Sequence, residues 1–189
     1  MKVQDAVLKA QNKTGIGSKQ PELPGQSLLE IWQQAVADSS TYPAYTCIGQ
    51  TLTYGEVDQL ARRVASYFQK KLKLVAGDRI AVQLPNLIQY PIVVIAAWKL
   101  GLVIVNTNPM YTVRELIHQF NDSGAKAVVV LDQFYDTLCE ALPDTSIEHV
   151  IVTRPIDLLP QPKNMLLSGA MKLMGKRPSL AKGSHISFS

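Results

Sequence analysis

Cysteine is scarce: Cys47 and Cys139 are the only two thiols in 189 residues, too few and too widely separated for a disulfide framework or a zinc site. Both lie in apolar stretches, which suits small buried residues of a reducing compartment. Long apolar runs are also missing. The most apolar region, Ile80 to Val105, is broken by Gln83, Pro85, Asn86, Gln89, Pro91 and Lys99, whereas a membrane-spanning helix needs about 20 consecutive apolar residues. Its pieces have the lengths of buried strands and a buried helix. Met1-Lys2-Val3-Gln4-Asp5 has neither the apolar stretch of a signal peptide nor the acid-poor character of an organelle presequence, so a cytoplasmic setting is expected. The body of the chain also lacks an excess of charge. The net +4 arises in residues 154–189, with six basic groups against one acidic, while residues 1–153 carry thirteen against fourteen. A near-neutral body has no basic stripe for a phosphate backbone, and nucleic acid is excluded as an expected partner.

Hydrophobic residues make up 47% of the chain, enough for a core. Residues 1–26, with Gly15, Gly17, Pro21, Pro24 and Gly25, read as an N-terminal arm. Ser27-Leu28-Leu29-Glu30 has the spacing of a capping box, followed by Leu28, Ile31, Trp32, Ala35 and Val36 at helical spacing, so a helix is expected to about Asp38. Tyr45–Ile48 and Thr51–Thr53 around Gly49-Gln50 predict a hairpin. Thr53-Tyr54-Gly55-Glu56 is a second capping box, with a stripe through Val57, Leu60, Ala61, Val64, Ala65 and Phe68. A strand over Arg79–Leu84, a helix reaching Leu100 with Gly101 as its cap, and a strand over Leu102–Val105 follow. Thr112-Val113-Arg114-Glu115 opens another helix that stops near Gly124; Lys126–Leu131 reads as a strand, Phe134–Leu142 as a helix and His149–Thr153 as a strand.

From Arg79 the strands are apolar throughout and alternate with helices. That pattern predicts an α/β fold, a parallel sheet with helices on both faces, preceded by the short hairpin. The expected organisation is an arm over 1–26, an α/β subdomain over 27–153 and a basic connecting segment over 154–189. This last segment has one amphipathic stretch, Met165 to Met174, and no clear place in the sheet.

The residues alone contain no complete active site. The first strand-to-helix turn, Leu84-Pro85-Asn86, lacks the glycines of a dinucleotide fingerprint. Gly169 to Gly175-Lys176 has five residues between its glycines instead of the four of a P-loop, and Arg177 stands where a magnesium-binding hydroxyl belongs. His118, His149 and His185 have no metal spacing. Cys139 has no histidine nearby in sequence, and buried packing is its simpler role. Asp78-Arg79 and Arg114-Glu115 sit at element ends, where ion pairs and helix-dipole contacts are ordinary.

Several blocks together resemble the N-terminal region of adenylate-forming acyl-CoA synthetases, most closely the bacterial long-chain fatty acid–CoA ligases. They are Leu52-Thr53-Tyr54-Gly55-Glu56 with Ala61; Gly77-Asp78-Arg79-Ile80-Ala81-Val82-Gln83-Leu84-Pro85-Asn86; Leu87-Ile88-Gln89-Tyr90-Pro91; Ala96-Ala97-Trp98-Lys99-Leu100-Gly101; Val105 to Leu116; and Asn121-Asp122-Ser123-Gly124-Ala125-Lys126. Their order covers about Ser27 to Thr153. The stretch Asn108-Pro109-Met110-Tyr111-Thr112-Val113-Arg114-Glu115-Leu116 favours the long-chain branch.

The resemblance implies a partial N-terminal subdomain of a parent enzyme that activates a long-chain fatty acid with ATP and magnesium, then transfers it to coenzyme A. The family's Ser/Thr/Gly-rich ATP loop ending in Pro-Lys-Gly is not matched, because Lys182-Gly183 follows Pro178-Ser179-Leu180-Ala181. No catalytic, cofactor-binding or metal residue of the family can be carried onto this chain, and the isolated chain is expected to be inactive. The alternative is a non-catalytic binding or dimerisation module derived from such a ligase. The basic stretch from Met165 to Lys182 leaves peripheral contact with an anionic inner-membrane surface open.

Overall fold

The computed structural model describes residues 27–158 and 186–187. The arm over 1–26, the amphipathic stretch Met165–Met174, the Gly169–Lys176 segment, Lys182-Gly183 and His185 lie outside the described residues. In chain order the elements are α1 (Leu28–Ser39), β1 (Pro43–Cys47), β2 (Gln50–Thr53), α2 (Tyr54–Lys70), β3 (Arg79–Gln83), α3 (Gln89–Leu100), β4 (Val103–Asn106), α4 (Val113–Ser123), β5 (Ala127–Leu131), α5 (Tyr135–Ala141), β6 (His149–Thr153) and β7 (Ile186–Ser187).

Three of the five helix starts, those of α1, α2 and α4, form where their capping residues dictate. Ser27 Oγ accepts the Glu30 N–H at 3.2 Å. Thr53 and Glu56 form a reciprocal capping box, as do Thr112 and Glu115. Both predicted glycine caps are left-handed: Gly101 closes α3 at φ 67° and Gly124 closes α4 at φ 62°, a backbone region that costs an L side chain roughly 1–2 kcal/mol.

The main sheet has the order β4-β3-β5-β6-β7, and all its pairings are parallel. Side chains alternate between its faces. Ile80, Val82, Val129, Leu131 and Ile151 join the core beneath α2 and α3. Ala81, Val128, Val130, Val150 and Val152 join the core beneath α4 and α5. Burial on both faces is why these strands are uniformly apolar.

Four details depart from the sequence reading. The hairpin turn is Ile48-Gly49, since Cys47 pairs with Gln50; both turn residues have positive φ, 51° and 71°, as a two-residue turn matched to strand twist requires. In α1 only Trp32 is buried and Leu28 is 60% exposed, because Leu28, Ile31 and Ala35 line an open groove while Val36 packs against the core. β4 lies at the sheet's edge and is only partly covered, with Val103 47% exposed. Ile186-Ser187 pairs with Ile151-Val152 of β6, so two residues of the segment expected to have no place in the sheet extend its other edge. No described helix is long and apolar enough to cross a membrane.

Candidate functional site

The sheet changes winding direction at β3: the chain steps from β3 to β4 on one side, then crosses back to β5 on the other. In open α/β sheets such a switch point opens a crevice at the strands' carboxyl ends, where ligands bind. The polar residues agree. Among the described residues, five of the six buried polar side chains, Gln83, Gln89, Thr107, Asp132 and Thr153, lie at or just beyond the carboxyl ends of β3, β4, β5 and β6 or at the adjoining start of α3; the sixth, Asp58, is on α2.

Gln83 ends β3 opposite Val130 and is fully buried. Its Nε2 donates to the Pro109 carbonyl at 3.4 Å, while its Oε1 has no hydrogen-bond partner among the described residues. An unsatisfied buried acceptor costs roughly 1–3 kcal/mol. Asp132 opens the short 3-10 turn after β5. Burial pushes its carboxyl above the usual carboxylate value, the Gln133 N–H and the Arg154 charge oppose that, and the Asp157 charge adds to it.

Beyond β6, Asp157 gathers the chain into a tight turn. Its Oδ2 accepts the Arg154 N–H at 2.8 Å and the Thr153 hydroxyl at 3.3 Å, and its Oδ1 takes Arg154 Nε at 3.0 Å. The Asp157 side chain is only 1% exposed, so the Arg154 cation and these donors offset the cost of burying its charge. Gln89 Nε2, at the start of α3, donates to the Arg154 carbonyl at 2.8 Å. Tyr90 OH donates to Asn106 Oδ1 at 2.8 Å. The two contacts anchor α3 across the switch point to the ends of β6 and β4.

The charges weighed from sequence lie elsewhere. Asp78 pairs with Lys126 at 2.6 Å and accepts the Val75 N–H. That pair joins the amino ends of β3 and β5, the edge opposite the polar crevice. Hydrogen bonds from Lys126 and Val75 hold the Asp78 carboxyl below its usual value. Glu115 accepts the Thr112 N–H and hydroxyl, at 2.8 and 2.7 Å, and serves its helix cap. Cys47 and Cys139 form no disulfide with each other and are half-buried. Among the described residues, no three His, Cys, Asp or Glu side chains converge as a metal site.

Sequence reasoning named neither Gln83, Asp132, Arg154 nor Asp157 as site candidates. A usable signal existed: the apolar runs Ile80–Val82, Ala127–Leu131 and Val150–Val152 each end in a polar residue, Gln83, Asp132 and Thr153.

Fold and crevice together define a doubly wound α/β layer with buried polar residues along its carboxyl edge. Residues 32–180 match the family model described as AMP-binding enzyme, and the chain belongs to that family. It is 40% identical over 147 residues to a long-chain-fatty-acid–CoA ligase of Escherichia coli O157:H7, covering 78% of this chain and 26% of that protein. It is 41% identical over 151 residues to a ligase of the same description from Haemophilus influenzae, covering 80% and 27%. A long-chain-fatty-acid-CoA ligase from Archaeoglobus fulgidus superposes with a TM-score of 0.65 at 27% identity, covering 72% of this chain and 29% of that one. A benzoate CoA ligase from Burkholderia xenovorans LB400, at 22% identity and a TM-score of 0.63 over 82% of this chain and 29% of its own, shares the fold. The chain therefore spans about a quarter of the length of the curated relatives it matches.

Proposed function

We propose that these residues are the N-terminal portion of a long-chain fatty acid–CoA ligase. The parent joins a fatty acid carboxylate to the α-phosphate of ATP with loss of pyrophosphate, then passes the acyl group to the thiol of coenzyme A with loss of AMP. The 40% identity over 147 residues to a bacterial enzyme of that name carries this reading. Magnesium accompanies ATP in the reaction, but the described residues do not fit a magnesium site, because no cluster of carboxylates converges among them.

Within the parent, this portion is a scaffold layer. Its rigid parallel strands end at the polar crevice of Gln83, Asp132 and Arg154, where the rest of the enzyme and its substrates would meet it. The isolated chain is inactive, since electrostatic stabilisation of transferring phosphates needs several converging donors. A cytoplasmic setting, with the inner-membrane surface as the source of the acyl substrate, belongs to the same reading.

The test is to capture the native protein from its source cells with an antibody to this chain, then assay ATP-dependent conversion of palmitate to its CoA ester. A captured species several times larger than 20.8 kDa, with activity, supports the proposal. A captured species of 20.8 kDa without activity would replace it with a binding-module reading. Acyl-CoA formation by the pure chain would overturn its assignment as inactive.

A further inference from the structure

Two side-chain acceptors are buried without a hydrogen-bond partner among the described residues, Gln83 Oε1 and Gln119 Oε1. Both amides donate to the same loop, the connection from β4 to α4. Gln83 Nε2, at the end of β3, reaches the Pro109 carbonyl at 3.4 Å, and Gln119 Nε2, on α4, reaches the Asn106 carbonyl at 3.0 Å. A third clasp comes from α3, where Tyr90 OH donates to Asn106 Oδ1 at 2.8 Å. Within the loop, Asn108 Oδ1 accepts the Met110 N–H at 3.0 Å and the Asn108 carbonyl accepts the Tyr111 N–H at 3.1 Å. A buried acceptor left unpaired costs stability, and an apolar side chain at either glutamine would remove that cost. Two such acceptors attached to the donors of one loop mean that the position of the loop is fixed against the stability of the layer.

We infer that this loop, residues 106–112, is a preset contact finger whose Met110 seats in an apolar socket on the remainder of the parent polypeptide. Met110 is 75% exposed, more than any other large hydrophobic side chain among the described residues. A lone exposed apolar residue is ordinary on a protein surface. One carried by a loop clasped from β3, α3 and α4 is different, because an anchor already held in place loses less conformational freedom on docking. Residues 106–112 carry no charge, so the socket that fits them is neutral, and the unbranched thioether of methionine adapts to an irregular apolar pocket. The strand leading into the loop is open as well. β4 pairs only with β3 among the described strands, has no proline, lysine or bulge over Val103–Asn106, and leaves Val103 47% exposed; native proteins ordinarily cover or blunt such an edge. The occupant follows from length. This chain spans about a quarter of the curated relatives it matches, so most of the parent lies outside this layer and has to pack on it. Neither orphan oxygen has accessible surface, so the glutamines fix the loop and Met110 makes the contact.

The inference rests on the reading of this chain as one portion of a longer ligase, and its test uses the captured full-length parent. Oxidation of Met110 by dilute hydrogen peroxide, followed by peptide mass spectrometry, should be about tenfold slower in the folded parent than in the same protein unfolded in urea, because sulfoxide formation follows exposure. A folded rate within about twofold of the unfolded one, as a side chain left 75% exposed would give, would overturn the inference while leaving the ligase reading intact. Met110→Asp should speed tryptic cleavage of the parent about fivefold, because the protease samples the population of opened molecules. Met110→Leu should leave cleavage unchanged, its apolar side chain filling the same socket. Equal cleavage of the two variants would overturn the inference, since Met110 would then contact nothing. Protection from peroxide that fades on dilution would overturn it in favour of a second copy of the protein. Recovery of only a 20.8 kDa species would remove the ligase reading, and the inference with it.

Discussion

Replacing Asp58 by asparagine should unlock the three helices on one face of the sheet. Asp58 lies on α2 with its side chain 6% exposed. Its Oδ1 accepts Trp32 Nε1 from α1 at 3.0 Å and the Lys99 ammonium from α3 at 2.7 Å, and its Oδ2 takes Arg62 Nε at 2.6 Å. Asparagine keeps the shape but removes the charge and points an amide donor at a cation. Arg62, 72% exposed, rehydrates at little cost. Lys99, 14% exposed, is left as a nearly buried cation, for which removal of a partner costs about 3–5 kcal/mol. We take the lower end, about 3 kcal/mol, because the Trp32 bond can survive. Urea unfolding followed by tryptophan emission measures the loss, and the melting temperature should fall by roughly 6–12 °C, at about 2–4 °C per kcal/mol for a chain of this size. Acid supplies a second check. Burial raises the Asp58 carboxyl, but hydrogen bonds from Lys99, Trp32 and Arg62 outweigh it and hold the group below its usual 3.8. A depressed folded value means a contribution fully present above 3.8 and lost as pH falls through the folded value. The gap between the unaltered chain and Asp58→Asn should therefore be constant from about pH 7 to 5 and close only in stronger acid. A loss under about 1 kcal/mol, or a gap that closes near neutrality, would refute the buried-cation reasoning.

Three further substitutions probe single features. Gly101→Ala should cost about 1–2 kcal/mol in urea unfolding, because the left-handed cap disfavours a side chain and a Cβ there would lie 3.2 Å from Ala76 Cβ; no loss would mean the α3 cap relaxes freely. Ile48→Asn should raise stability by up to about 1 kcal/mol, since a half-exposed β-branched residue now holds φ 51° in a turn that prefers Asn-Gly, and a lowered melting temperature would count against that turn. Gln83→Met should be neutral or stabilising by about 1 kcal/mol, because it removes the orphaned Oε1 at the expense of one long hydrogen bond. If full-length enzyme carrying it loses turnover while keeping its melting temperature, the buried amide serves the crevice and not the fold.

The helices and strands were legible because their determinants are local. Thr53 with Glu56, Thr112 with Glu115, Gly101 and Gly124 each set an element's end within four residues of sequence, and strands buried on both faces read as apolar runs. What escaped depends on neighbours. The hairpin turn is one residue earlier than expected because strand register, not the glycine alone, selects Ile48-Gly49. The α1 stripe is a true helical pattern, yet periodicity reports which side is apolar and not what covers it.

The candidate site was harder to read for a related reason. An active site that announces itself in sequence does so through spacing, as glycines of a phosphate loop or ligands of a metal. Here the polar groups are dispersed over Gln83, Asp132 and Arg154, and only the parallel registers β3–β5 and β5–β6 bring their strand ends side by side. Each residue alone is an ordinary strand terminator. Their meeting is a consequence of topology: the reversal of winding at β3 leaves the carboxyl ends of β3 and β5 without a crossover helix between them, and polar side chains persist there at a cost in burial that apolar substitutes would remove. A crevice that retains an unsatisfied Gln83 acceptor and a carboxyl raised by burial at Asp132 is therefore better explained by what docks on it than by the stability of this layer alone.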